Sequence, residues 1–158
     1  MRTQVAIIGG GPSGLMLSQL LHLKGIDTIV LERQSREYVL SRIRAGVLEQ
    51  TTVDVLRAHG LAGRLDREGH PHDGMKIVWA GRSSYFIDVR LHQGKRFVAY
   101  GQTQIQEDLY AAADRRGAQV LHGVEDIQLQ DIDGATPRVV FRDEGQPRQL
   151  ACDFIAGC

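Results

Sequence analysis

A glycine-rich turn between an apolar strand and a helix constrains this sequence more than any other feature. The run Val5-Ala6-Ile7-Ile8 is apolar and rich in β-branched residues, which is typical of a strand buried on both faces. It is followed by Gly9-Gly10-Gly11-Pro12-Ser13-Gly14 and by a mostly apolar helical segment at residues 15–24. A second apolar strand, Thr28-Ile29-Val30-Leu31, ends at Glu32. This order predicts the strand–helix–strand unit of a parallel, dinucleotide-binding sheet.

Three glycines of the turn have a physical role in such a unit. Gly9 permits the tight turn, Gly11 lets the main chain approach a pyrophosphate, and Gly14 allows close packing of the helix on the sheet. The helix N-terminus presents free N–H groups and a partial positive charge to phosphate. The Glu32 carboxylate is placed to bind an adenosine ribose and would repel a 2′-phosphate, which favours FAD or NAD over NADP. A tight turn that binds nothing is the plainer explanation, but this spacing disfavours it.

A basic segment follows the second strand. Between positions 33 and 44 a single acid, Glu37, opposes four arginines: Arg33, Arg36, Arg42 and Arg44. The pattern fits either a solvated basic loop or a second anion site, for pyrophosphate or for a nicotinamide cofactor. A helix predicted over residues 46–59 would place two of these arginines at its N-terminus.

The remainder of the chain predicts one more helix and several strands. Residues 75–80 and 84–89 alternate around Gly81-Arg82, which indicates an antiparallel hairpin, and residues 96–100 favour a third strand. A helix starting at Thr103, with Gln106 completing a capping box, would bury a stripe of Ile105, Leu109, Ala112 and Ala113. Further strands are predicted at residues 119–121, 124–129, 138–141 and 149–155, with a hairpin turn at residues 143–146.

We therefore predict an α/β fold, in which antiparallel strands are added to a parallel nucleotide-binding sheet. Residues 1–158 form the nucleotide-binding region, and residues 71–99 form an antiparallel excursion from it. The 19 Lys and Arg balance 19 Asp and Glu, which gives no sign of nucleic-acid or anionic-membrane binding. No apolar run approaches the roughly 20 residues of a membrane span. Cys152 and Cys158 match neither a disulfide framework nor a zinc site, so a reducing cytoplasm is the expected location.

The stretch Arg42-Ile43-Arg44-Ala45-Gly46-Val47-Leu48-Glu49-Gln50 is a more restrictive signature. Together with residues 5–14, Leu31-Glu32-Arg33-Gln34 and Tyr100-Gly101-Gln102-Thr103, it resembles the flavoprotein aromatic hydroxylases, and the resemblance runs through the whole chain. It implies a Rossmann-like FAD-binding fold, a homodimer, and hydroxylation of 4-hydroxybenzoate to 3,4-dihydroxybenzoate with NADPH and O2. The family's Asp-Gly pair, later Gly-Asp motif and aromatic-acid-binding residues are absent. The resemblance therefore predicts the N-terminal part of a longer, here truncated, enzyme.

The motifs and the resemblance together assign the candidate site residues. For FAD they are Gly9, Gly11, Ser13, Gly14, Glu32, Arg42, Arg44, Ala45, Gly46, Val47 and Gln102. For NADPH the resemblance implies Arg33, Gln34, Tyr38, Arg42 and Arg44. It also implies His72 as the outer end of a proton relay that helps to ionise the phenol. From the residues alone, Gln102 reads as a surface amide, His72 as a solvated loop histidine and Tyr38 as a surface aromatic.

Two other functions stay open from the sequence. A non-catalytic FAD- or adenine-nucleotide-binding module agrees with the lack of substrate-binding residues. An NAD-dependent dehydrogenase agrees with the glycine motif, but it would carry no yellow cofactor.

Overall fold

The structure, a computed structural model, describes residues 1–42, 44–81 and 83–158. The chain divides into two compact units, one formed by Met1–Arg42 with Gln106–Cys158 and the other by Ile43–Ile105. Two positions of the sequence analysis, Ile43 in the arginine-rich stretch and Arg82 in the hairpin turn, lie outside the described residues. The excursion predicted at residues 71–99 falls within the second unit, and its relation to a substrate domain stays a prediction.

The elements of the described residues are as follows, in chain order. The strands are β1 (Val5–Ile8), β2 (Thr28–Glu32), β3 (Val47–Glu49), β4 (His70–His72), β5 (Gly74–Trp79), β6 (Ser83–Asp88), β7 (Phe97–Ala99), β8 (Gln119–His122), β9 (Glu125–Gln130), β10 (Arg138–Asp143), β11 (Gln146–Ala151) and β12 (Phe154–Gly157). The helices are α1 (Pro12–His22), α2 (Arg36–Ser41), α3 (Gln50–Ala58), α4 (Leu65–Glu68), α5 (Val89–Gln93) and α6 (Gln102–Arg115).

A parallel sheet forms the centre of the first unit. Its strand order is β12-β1-β2-β8, and every pair in it is parallel. The apolar strands predicted before the glycine turn and after the first helix are confirmed as β1 and β2, and the short strand that follows α6 is confirmed as β8. Ala6 and Ile7 are successive residues of β1 and point to opposite faces, yet both are fully buried. The sheet is therefore covered on both faces, as its continuous apolar strands indicate.

The predicted stripe of α6 is also confirmed, although the helix begins at Gln102 rather than Thr103. All four of its apolar residues, Ile105, Leu109, Ala112 and Ala113, are buried. The chain leaves the helix through Gly117, whose φ of 67° is left-handed.

Strands β9, β10 and β11 form a separate antiparallel sheet. The predicted hairpin turn is confirmed: Asp143 pairs with Gln146, and Glu144 and Gly145 between them have φ of 50° and 74°. The single strand predicted at residues 149–155 is wrong. The chain changes sheets between β11 and β12, because the N–H of Cys152 donates to Pro137 and that of Asp153 donates to Gln4.

The second unit contains the antiparallel sheet β3-β7-β4 and the hairpin β5-β6. The predicted hairpin is confirmed, and β7 confirms a third strand, although β7 pairs with β3 and β4. The helix predicted over residues 46–59 is wrong at its start, because β3 pairs with β7 before α3 begins at Gln50. Arg44 therefore precedes a strand rather than a helix. His72 was predicted in a loop but lies in β4, because His72 pairs with Phe97.

Two further observations concern the helices and the cysteines. In the part of the chain that the structure describes, no helix is long and apolar enough to cross a membrane. Cys152 is buried, Cys158 is exposed, and both are free.

Candidate functional site

The glycine turn that joins β1 to α1 has the geometry that its sequence predicts. Gly9 has a left-handed φ of 113°, which favours glycine. A Cβ on Gly14 would overlap the carbonyl oxygen of Gly9, so a larger residue there would push α1 away from the turn. Gly11 differs from both, because, apart from Gly11 and its two chain neighbours, none of the described residues has an atom within 4 Å of the Cβ position on Gly11. The turn is therefore closely packed at Gly9 and Gly14 and open at Gly11.

The first turn of α1 is suited to bind an anion. The N-cap is Gly11, which has no side chain to cap the helix, and Pro12 follows it at the first helical position. The first helical hydrogen bond joins the N–H of Leu15 to the carbonyl of Gly11, so the N–H groups of Ser13 and Gly14 precede the helical ladder. The first turn of α1, which lies wholly within the described residues, contains no acidic residue. Its N–H groups and helix dipole can therefore bind a diphosphate.

The Glu32 carboxylate lies against the glycine turn at the end of β2. Its Oε2 accepts a hydrogen bond from the Gly10 N–H at 2.7 Å, and its Oε1 accepts one from the Gln34 N–H at 2.9 Å. Each carboxylate oxygen can accept about two hydrogen bonds, so each keeps one acceptor position. A ribose next to the glycine turn would use those positions. The arrangement thus fits the adenosine diphosphate half of FAD.

Gln106 joins this site in a way that the sequence did not predict. The predicted capping box is wrong, because α6 begins at Gln102 and Thr103 is therefore not its N-cap. The Nε2 of Gln106 instead donates to the Gly10 carbonyl oxygen at 2.7 Å. Only 3% of Gln106 is exposed. The signal that could have identified it is a polar residue next to Ile105 on the buried side of a helix, since a buried amide needs a partner.

The basic segment is divided between two structural roles. Arg36 forms two hydrogen bonds with Asp114, and its guanidinium lies 4.5 Å from the centroid of the Tyr110 ring. This hydrogen-bonded pair raises the pKa of Arg36 and lowers the pKa of Asp114. The Arg36 guanidinium therefore binds a residue of α6. Arg33 is exposed, and the Arg42 guanidinium lies 5.6 Å from the centroid of the Tyr38 ring, which is 45% exposed.

A polar pair lies at the neighbouring strand end. His122 is the last residue of β8 and is the register partner of Glu32 on β2. Its Nε2 lies 3.0 Å from the hydroxyl oxygen of Tyr110, a residue that is only 1% exposed. Burial lowers the pKa of His122 and raises the pKa of Tyr110. Both groups are therefore neutral near pH 7 and can hydrogen-bond without a charge.

The second unit brings two of the resembling motifs together. The Tyr100 N–H donates to the Gly46 carbonyl at 2.9 Å, and a Cβ on Gly46 would overlap the main chain of Tyr100. Glycine at position 46 thus permits the segment with Arg44 and Ala45 to lie against the segment that precedes Gln102. Arg44 and Ala45 are exposed, Val47 is 64% exposed, and Gln102 is partly buried as the first residue of α6. The cofactor roles of these residues stay predictions, as does the relay role of exposed His72.

A strand, an open glycine turn, an uncapped helix and an acid against the turn define a dinucleotide-binding α/β domain. Comparison with known proteins makes the class specific. The FAD binding domain family matches residues 2–158, which is nearly the whole chain. The chain therefore belongs to the FAD binding domain family, and FAD is its cofactor. The resemblance to flavoprotein aromatic hydroxylases is confirmed.

Curated relatives and solved structures agree with this family. The chain is 44% identical to p-hydroxybenzoate hydroxylase of Acinetobacter baylyi over 100% of its own length and 39% of that protein. It is 31% identical to rifampicin monooxygenase of Streptomyces venezuelae, over 98% of its own length and 31% of that protein. Among solved structures, OxyS anhydrotetracycline hydroxylase from Streptomyces rimosus matches with a TM-score of 0.78 at 25% identity, over 100% of this chain and 32% of that one. The chain thus spans about a third of the length of these proteins.

Proposed function

We propose that the protein is a 4-hydroxybenzoate 3-monooxygenase, which hydroxylates 4-hydroxybenzoate to 3,4-dihydroxybenzoate with FAD, NADPH and O2. One observation carries the choice of substrate: the 44% identity to a p-hydroxybenzoate hydroxylase over the whole chain. Relatives that are 31% and 33% identical carry the names of rifampicin and anhydrotetracycline monooxygenases. The higher identity therefore favours a small aromatic acid over a large polycyclic substrate.

The residues of this chain bind and orient the cofactor. FAD, when bound, supplies the redox chemistry by accepting electrons from a nicotinamide and activating O2. The main chain of the glycine turn at Gly11 and the first turn of α1 hold the diphosphate, and Glu32 holds the adenosine ribose. Arg42, Arg44 and Gln102 complete the proposed FAD site, with Ser13 and the segment Ala45-Gly46-Val47. Fixed main-chain N–H groups suit this role, because they need no reorganisation when the anion arrives.

The nicotinamide cofactor requires a second site. Glu32 would repel the 2′-phosphate of NADPH, so the glycine turn is reserved for FAD. We propose that Arg33, Gln34 and Tyr38, with Arg42 and Arg44, bind NADPH. Exposed Arg33 and the Arg42 guanidinium beside Tyr38 support this proposal, since a guanidinium can bind a phosphate with two hydrogen bonds. Arg36 does not belong to the set, because it is paired with Asp114.

His72 is proposed as the outer group of a proton relay for the substrate phenol. It is exposed on β4 and can therefore contact water. The free cysteines agree with a reducing cytoplasm, and the resemblance to the hydroxylases supports a homodimer.

The test is NADPH oxidation by the full-length, FAD-loaded protein. We expect 4-hydroxybenzoate to stimulate oxidation, with equimolar O2 uptake and formation of 3,4-dihydroxybenzoate. Benzoate is the matched control, because it has the carboxylate but no phenol to ionise. NADH in place of NADPH tests the second site.

Two other outcomes of this assay, and one observation on the purified protein, separate the alternative functions. Stimulation by a different phenol alone would show a different substrate. Retained FAD with no stimulated oxidation by any phenol would support a non-catalytic FAD-binding module. The function of an NAD-dependent dehydrogenase does not agree with membership of the FAD binding domain family. A protein that purifies without flavin absorbance near about 450 nm would instead support that function.

A further inference from the structure

Gln106 is a buried polar residue whose contact serves the glycine turn. It is 3% exposed, and its Nε2 donates to the carbonyl oxygen of Gly10, which lies 96 residues earlier in the chain. This bond connects α6 to the turn between β1 and α1. The sequence motifs assign Gln106 only a capping role, which the structure does not bear out, and the resemblance assigns it none.

Gly10 is held from two sides. Its N–H donates to the Glu32 Oε2 at 2.7 Å, and its carbonyl oxygen accepts from the Gln106 Nε2 at the same distance. A Cβ on Gly10 would lie 2.8 Å from the Cβ of Glu32, so the turn is packed closely against the end of β2. The main chain at Gly10 therefore has one side-chain partner for its donor and another for its acceptor.

The bond to Gln106 also fixes the direction of the next N–H group. The peptide between Gly10 and Gly11 is trans, so its C=O and N–H point in opposite directions. Because Gln106 holds the C=O, the Gly11 N–H points away from Gln106. If this peptide rotated by half a turn, its carbonyl oxygen would replace the N–H and would repel a diphosphate.

We propose that Gln106 is a positioning residue for FAD: it holds the Gly10–Gly11 peptide so that the Gly11 N–H faces the diphosphate. Glu32 holds the preceding peptide through the Gly10 N–H. The two side chains together set the orientation of the turn before any ligand binds, which is preorganisation. The proposal rests on the FAD site of the proposed function, but not on its substrate or on NADPH.

The experiment compares three variants of the full-length protein in its flavin-free form. Gln106→Leu removes the donor while keeping a similar volume, and Gln106→Asn keeps a donor on a shorter side chain. Arg115→Gln is the matched control, since Arg115 is exposed on the same helix. The measurements are the Kd for FAD by flavin fluorescence quenching, the inhibition constants of ADP and of adenosine as competitors, and the melting temperature.

We expect Gln106→Leu to weaken FAD and ADP by about tenfold each, the usual worth of one hydrogen bond. Adenosine has no phosphate, so its inhibition constant should stay unchanged. Gln106→Asn should fall between wild type and Gln106→Leu, and Arg115→Gln should match wild type. If Gln106→Leu does not fold, Gln106→Asn provides the same comparison of ADP with adenosine.

Two results would overturn the proposal. One is an unchanged FAD affinity in a folded Gln106→Leu protein. The other is an equal loss of ADP and adenosine affinity, which would mean that Gln106 only supports the fold. Neither result depends on hydroxylation, so a wild-type protein that binds FAD but fails to oxidise NADPH would count against the proposed function alone.

Discussion

Arg36 and Asp114 form two parallel hydrogen bonds, at 3.0 Å between Nη1 and Oδ1 and at 2.6 Å between Nη2 and Oδ2. The pair joins the first residue of α2 to the end of α6, and Arg36 also covers the ring of Tyr110 on the same helix. It therefore holds the start of α2, which lies between Gln34 and Tyr38 of the proposed NADPH residues.

The Asp114 carboxylate gives this pair a pH dependence. The hydrogen bond from Arg36 lowers the pKa of Asp114 in the folded protein, so the pair stabilises the fold above the unfolded pKa of about 3.9. This stability is lost as the pH falls through the still lower folded pKa. Because the Asp114 side chain is 57% exposed, the contribution should be under about 1 kcal/mol. Urea unfolding from about pH 5 to about pH 2.5 should show a smaller loss of stability in Asp114→Asn than in wild type.

Asp126→Asn is the control for this measurement. Asp126 is 72% exposed, and its Oδ2 lies 3.5 Å from the Arg142 Nε. This is a longer contact than the two parallel hydrogen bonds between Arg36 and Asp114. Its substitution should leave the pH slope close to that of wild type. An equal change in both variants would show that the Arg36 pair has no special contribution.

The parts of the fold that the sequence predicted are those whose signals are local. The strand, glycine turn, helix and second strand at residues 5–32 each have their own apolar pattern or turn residue, and the hairpin turn before Gln146 needs only its two central residues. What the sequence could not show is pairing between distant segments. Arg36 was counted with the other arginines because Asp114 lies 78 residues away.

The same limit explains the wrong boundaries. Residues 47–49 have a pattern that fits a helix, but pairing with β7 makes them a strand. Gln106 fits a capping box by spacing, yet the partner that it finds is Gly10. In both cases a long-range partner decided between two locally acceptable conformations.

Removal of the Glu32 carboxylate should weaken FAD binding. Glu32→Ala should cost roughly 1–3 kcal/mol of FAD affinity, because the ribose contacts and the hold on the Gly10 N–H are both lost. Glu32→Gln should lose less, since it keeps one acceptor oxygen. Titration of the flavin-free protein with FAD measures both. Glu125→Ala, an exposed carboxylate on β9, is the control, and a Glu32→Ala protein that binds FAD like this control would refute the assigned role.

Substitutions at two glycines of the turn should affect FAD binding and the free energy of unfolding separately. Gly11→Val should fold normally, because its Cβ position is open and its φ of −71° suits any residue, yet it should lose FAD binding more severely than Glu32→Ala. Gly14→Ala should instead lose about 1–3 kcal/mol of unfolding free energy, since its Cβ would overlap the Gly9 carbonyl. Urea unfolding and FAD titration of both variants test this division. A Gly11→Val protein that binds FAD normally would place the diphosphate elsewhere.

His122 should make the fold sensitive to mild acid. Burial lowers the pKa of His122 below the unfolded value of about 6.5, while Glu32 and Arg36 act on it in opposite directions. The unfolded state therefore binds a proton more readily. The stabilising contribution of neutral His122 is complete above about pH 6.5 and is lost as the pH falls towards the folded pKa. His122→Gln should flatten the fall in unfolding free energy between about pH 7 and about pH 5. An unchanged pH profile in His122→Gln would mean that another group titrates.

Tyr110→Phe removes the hydroxyl that faces His122 Nε2 but keeps the ring. It should weaken the fold at pH 7 while keeping the acid sensitivity.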